Sequence, residues 1–94
     1  MARMRTHPGE ILREEYLNPL GMSARALAKV LGVPANRITE IMRGERDVSA
    51  DTAIRLGRYF GTDARFWLNL QAAYDLSKAE KENNYTAIRK RTAA

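Results

Sequence analysis

Ala35, Asn36, Thr39 and Arg43, with Arg37 and Glu40 beside them, form the stretch of this chain whose side-chain types and spacing best suit chemistry with another molecule. At helical spacing Ala35, Asn36, Thr39 and Arg43 share one outward stripe, with Arg37 and Glu40 flanking it, and the stripe carries the groups that read base edges. Asn36 can pair with adenine through two bonds. Ala35 or the Thr39 methyl fits a thymine methyl, and Arg37 or Arg43 suits guanine or a phosphate. Arg25 and Arg46 stand toward the ends of the same segment, where phosphates rather than bases would be met, as would the backbone amides behind Ser23. Residues 23–46 hold five basic residues (Arg25, Lys29, Arg37, Arg43, Arg46) against two acidic ones (Glu40, Glu45), a local excess of three positive charges. Any one of Arg37, Thr39 or Arg43 alone would read as a solvated polar face, the default for charged side chains; the pattern around them favours DNA.

Other reactive groups point nowhere comparable. Glu10, Glu14 and Glu15 fall in the opening turns of a helix, where the macrodipole favours acids and solvent accepts them, so no carboxylate pair for catalysis is inferred. His7 is the one histidine of the chain, and a metal site needs several ligands, so it reads as a surface or helix-start residue. With no cysteine there is no thiolate ligand, disulfide or thiol nucleophile. The expectation is a protein without catalytic residues, metal or cofactor.

The elements that must position the stripe are legible from their punctuation. Proline and glycine sit where helices should begin and end, and no period-2 alternation separates them, so the chain reads as all-α with five helices. The first starts at Pro8, carries Ile11, Leu12 and Tyr16 inward and stops ahead of Asn18-Pro19-Leu20-Gly21. Ser23 caps the second, which turns Leu27, Val30 and Leu31 inward, keeps Ala28 small for close approach and ends at Gly32. The third follows Pro34, buries Ile38, Ile41 and Met42, and stops at Gly44. Ser49 or Asp51 opens a fourth with Ala53, Leu56 and Phe60 inward and Gly61 at its end. Thr62 or Asp63 opens a fifth that runs to about Lys81 and places Phe66, Trp67, Leu70 and Tyr74 in the core. A second apolar stripe on it, Leu68, Ala72 and Leu76, is the expected dimer contact. The tail 83–94 is basic and polar, although residues 84–91 could extend a helix.

Ninety-four residues suit one domain, here 1–94 with a helical core at about 7–81. The net charge of +5 suits a polyanionic partner. No apolar run approaches the roughly 20 residues of a membrane span. Met1-Ala2-Arg3-Met4-Arg5 leads into polar residues rather than an apolar leader, so the reading is a cytoplasmic protein.

Two short helices joined by a tight turn, the second polar on its outer face, make the helix-turn-helix pattern, here Ser23 to Gly44. Leu27-Ala28, Leu31-Gly32-Val33, Ile38, Ile41 and Gly44 resemble the phage-repressor class of these domains, which implies a compact five-helix bundle of the lambda-repressor-like DNA-binding type. Where that class often carries glutamine near the start of its second helix, this chain has Ala24, with Arg25 as the neighbouring substitute. A resemblance over most of the chain is narrower. His7-Pro8-Gly9-Glu10-Ile11-Leu12, Pro19-Leu20-Gly21, Arg37-Ile38 with Glu40-Ile41, Asp51-Thr52-Ala53, Arg55-Leu56, Tyr59-Phe60-Gly61-Thr62 and Phe66-Trp67-Leu68-Asn69-Leu70-Gln71 are similar to the HigA family of antitoxins. That resemblance implies a homodimer that represses its own operon on double-stranded operator DNA. It also implies a partner, a HigB-like toxin that cleaves messenger RNA on the ribosome. A free-standing repressor without a toxin, and a toxin-binding module with little DNA binding, are the alternatives.

Overall fold

The computed structural model describes residues 5–92. The readings made of Met1–Met4 and of the last two residues of the tail lie outside them. Among the described residues the regular elements are all helical, and the five helices are α1 (8–20), α2 (Ala24–Leu31), α3 (Ala35–Met42), α4 (Ala50–Phe60) and α5 (Ala64–Glu82).

Most boundaries are set by side chains within four residues of the backbone groups they satisfy. Ser23 and Ser49 accept from the amides of Ala26 and Thr52, three residues on, and Asp63 accepts from Arg65 N–H. At the other end of α2, Gly32 turns left-handed at φ 72°, and Val33 N–H reaches back to the Ala28 carbonyl at 3.0 Å. Only glycine adopts that backbone without strain, and the bond removes a carbonyl that the helix leaves open.

α1 departs from the expected stop before Asn18. It begins as an α-turn (Pro8–Ile11), widens into a π-helical stretch (Leu12–Leu17), and continues through Asn18–Leu20 to a left-handed Gly21. Asn18 N–H bonds to Arg13, five residues back. Pro19 supplies no N–H, and its ring crowds the carbonyl four residues earlier. The wider turn makes that room, so the helix passes the proline instead of ending at it.

The core gathers Leu12 and Leu17 of α1, Leu27, Ala28 and Leu31 of α2, Ile38 and Ile41 of α3, Val48 of the following loop, Ala53 and Leu56 of α4, and Trp67 of α5. Trp67 is fully buried, and its indole N–H donates to Thr62 Oγ1 at 2.9 Å. Two inward assignments are corrected. Val30 is exposed, because at about 100° per residue Ala24, Leu27, Ala28 and Leu31 share an arc that leaves Val30 on its flank, where it lines a groove with Ile54 and Tyr59. Phe66 lies at the rim, because Trp67, Gln71 and Tyr74 define the inward line of α5 and Phe66 falls to one side of it. Leu68 falls to the other side and packs partly on the core, whereas Ala72 and Leu76 turn to solvent. Residues 84–91 do not extend a helix: α5 ends at Glu82, and beyond it lies a single turn closed by Ile88 N–H on the Tyr85 carbonyl.

Candidate nucleic-acid interface

α3 is a helix of eight residues, too short to hold itself, so its neighbours decide how it is presented. Its inner face is anchored by Ile38 and Ile41, both fully buried. Its end presses on α1 at Gly9, where a Cβ would overlap the Ile41 carbonyl oxygen, so only glycine permits the approach. The loop after α3 is held twice. Arg46 Nη2 lies 2.7 Å from Glu40 Oε1, folding the loop back on the helix. Buried Gln71 of α5 accepts from Val48 N–H at 2.8 Å and donates to Asp47 and Asp75 at 3.2 and 3.0 Å.

The outward face of α3 carries Asn36 and Arg43 exposed, with Ala35 and Thr39 half-buried between them. Thr39 Oγ1 sits 3.4 Å from the Asn36 carbonyl, while the Asn36 side chain faces solvent. Arg43 is more open than Arg37 or Arg46, with only a long 3.8 Å approach to Glu45 among the described residues. Arg25 is exposed on the first turn of α2. Ser23, assigned to the interface, spends its hydroxyl oxygen on the Ala26 amide and so offers DNA the helix start it orders. Arg37 turns away from the stripe: its Nη1 lies 2.6 Å from Asp51 Oδ2. The structure thus gathers Ala35, Asn36, Thr39 and Arg43 on one face, sets Arg25 and Arg46 at its margins, and ties Arg37 to α4.

One cation that the sequence does not assign to this face, Arg13, lies beside it. It lies on the outer face of α1 and contacts Glu14 at 3.2 Å, and with Ala24, Thr39, Met42 and Arg43 it lines a cleft of about 250 Å³ beside the outward face of α3. No local signal marks this, since it depends on α1 crossing α3.

His7 opens α1. Its Nδ1 accepts from Gly9 N–H at 2.9 Å, which places the proton on Nε2, and its ring meets Tyr74 edge-on at 4.8 Å. Nε2 is buried without a hydrogen-bond partner among the described residues. Burial holds the imidazole below its ordinary pKa against the opposing pull of Asp47 and Asp75.

The family model described as helix-turn-helix matches residues 13–67, which contains α2, the turn and α3. The solved structure of Pseudomonas aeruginosa antitoxin HigA with the higBA promoter is 50% identical in sequence, superposes with a TM-score of 0.84, and aligns over 87% of this chain and 89% of that one. The chain belongs to the HigA family of helix-turn-helix antitoxins. Another family structure, PA4674 in complex with its operator DNA from Pseudomonas aeruginosa, has a TM-score of 0.90 at 46% identity and aligns over 97% of this chain and 100% of that one. Among curated relatives, virulence-associated protein I of Dichelobacter nodosus is 64% identical over 81% of this chain and 70% of its own length. HigA-family chains are DNA-binding regulators rather than enzymes. Among the described residues of this one, no helix is long and apolar enough to cross a membrane.

Proposed function

We propose that the protein represses its own operon by occupying operator DNA as a homodimer and, as an antitoxin, binds and neutralises a HigB-like endonuclease. One observation carries the DNA reading: Asn36 and Arg43 stand exposed on a helix whose opposite face is fully buried, with Arg25 and Arg46 at the margins for phosphates. In this reading α3 enters the major groove, Asn36 pairs with adenine, and Ala35 and Thr39 meet thymine methyls. Arg43 meets guanine or phosphate, while Arg25, Arg46 and the amides capped by Ser23 hold the backbone. A two-fold dimer places two such helices about 34 Å apart on an inverted repeat. The exposed Ala72 and Leu76, with Leu68 at the base of the stripe, supply the apolar contact for it.

The test is a salt-titrated binding assay on the chain's own upstream DNA beside random DNA of equal length. A preference of about a hundredfold or more, with two-fold symmetric protection, supports the repressor reading. Weak and equal binding would leave only the toxin-binding role, for which inhibition of the toxin's messenger-RNA cleavage by the purified chain is the direct assay.

A further inference from the structure

A three-helix clamp stands beside the recognition face. Asp51, in the first turn of α4, receives two guanidinium groups on the same oxygen: Arg37 Nη1 at 2.6 Å and Arg55 Nε at 2.9 Å. Arg55 goes further. Its Nη1 donates to the Leu31 carbonyl at 2.7 Å, and Leu31 is the last residue of α2. One connected set of bonds therefore runs from the end of α2 through α4 to the first turn of α3, spanning both sides of the turn between the two recognition elements.

We propose that Asp51 and Arg55 are positioning residues for DNA recognition: they clamp the first turn of α3 to the end of α2 and so set the angle at which the recognition helix is presented, without touching DNA themselves. The proposal rests on the DNA-binding reading above.

The arrangement supplies what the local sequence of α3 lacks. Its N-cap is Pro34, which makes no side-chain cap bond, and a cation in the first turn, Arg37, opposes the helix dipole. The Asp51 carboxylate offsets that charge. At the other end of the turn, the Leu31 carbonyl is one of those a helix leaves open, and the Arg55 fork closes it. Ile38 and Ile41 anchor α3 by apolar contact, which is non-directional; the clamp adds direction. A carboxylate is a poor neighbour for phosphate, and two nitrogens of Arg55 are already committed inward, so neither residue suits a direct DNA contact. Both arginines hold the Asp51 carboxyl below its ordinary pKa, Arg55 more than Arg37, so the clamp is charged at neutral pH. All three side chains keep solvent contact, and exposed ion pairs add little stability, so the clamp shows in geometry more than in melting.

The experiment compares the full chain with Asp51→Asn and Arg55→Gln on operator and random DNA across salt concentrations. Each variant should lose about tenfold on the operator, while random-DNA affinity and the salt slope stay as in the parent. Adding Arg37→Gln to Asp51→Asn should cost less than the sum of the separate changes, since both break one link. Parallel loss on both DNAs with a shallower slope would make these residues phosphate contacts and overturn the proposal, as would unchanged operator affinity. Hydrogen exchange in the free chain supplies a readout that needs no DNA: in Asp51→Asn, the amides of Gly32, Val33 and residues 35–39 should exchange faster while that of Trp67 does not. Unchanged exchange there defeats the clamp. If the parent shows no operator preference, the DNA-binding reading fails by itself and exchange still decides the clamp. Should Arg55→Gln not fold, Arg55→Lys keeps the charge, loses the fork, and should shift both readouts the same way.

Discussion

Gln71 Oε1 accepts the Val48 amide at 2.8 Å inside the core, 23 residues away in sequence, and together with the Gln71 bond to Asp47 it fastens the loop after the recognition helix to α5. Val48 is itself buried, so its N–H has no access to water as an alternative. Gln71→Leu should therefore destabilise the protein by about 1–3 kcal/mol, the cost of an unsatisfied buried donor. Urea unfolding measures it, and a change near zero would mean that the loop finds another acceptor.

The recognition face predicts two different losses. Asn36→Ala should cost about 1–3 kcal/mol at a single base pair of the operator and leave random DNA unaffected. Arg46→Ala should weaken all sequences alike and make the salt slope shallower by about one. Competition titrations on a panel of singly substituted operators separate the two. An equal loss on operator and random DNA for the Asn36 change refutes its assignment.

His7 makes stability depend on pH. Its folded pKa lies below the ordinary 6.5, chiefly through burial, so the unfolded chain takes up the proton first as pH falls. Its contribution is complete above that value and is lost as pH falls through the folded pKa. Unfolding free energy should thus decline on acidification below 6.5. His7→Asn, which retains an acceptor for Gly9 N–H but does not titrate, should flatten the slope between about pH 7 and pH 5. Urea midpoints across that range test it, and identical slopes for the two proteins would remove His7 as the cause.

The apolar stripe on α5 predicts the oligomeric state. Leu76 is 64% exposed, so a charge there costs the monomer little. Leu76→Asp should shift the protein from dimer to monomer in sedimentation and weaken operator binding more than it lowers the melting temperature. Ile54→Asp, on the separate Val30–Ile54–Tyr59 groove, serves as the control. Dissociation by the Ile54 change and not the Leu76 change would move the interface to that groove.

Gly9 gives a packing prediction. A methyl added there meets the Ile41 carbonyl, which is backbone and cannot rotate aside. Gly9→Ala should cost about 1–3 kcal/mol by forcing α1 from the end of α3. Thermal unfolding reads the cost, and a neutral substitution would show that the two helices can separate freely.

What the sequence by itself determined are the features settled within a few residues. Ser23, Ser49 and Asp63 each satisfy an amide two or three residues on, and Gly32 and Gly61 adopt the left-handed turns that close their helices, so order, number and approximate length of the helices were readable from local chemistry. The outward placing of Asn36 and Arg43 follows from the same short period once Ile38 and Ile41 face inward. What only the tertiary structure decided depends on partners far along the chain. Pro19 reads as a stop, yet α1 widens and passes it. Val30 keeps helical register with Leu27 but faces solvent, because the centre of the buried arc is set by the helices against which α2 packs. By spacing Arg37 flanks the stripe, but its charge is taken by Asp51, 14 residues on, and Arg13 lies beside that stripe only because α1 crosses α3. Short-range hydrogen bonds and periodicity specify where a helix lies in the chain; burial and charge pairing between helices specify which way it faces, and those energies exist only after the helices have met.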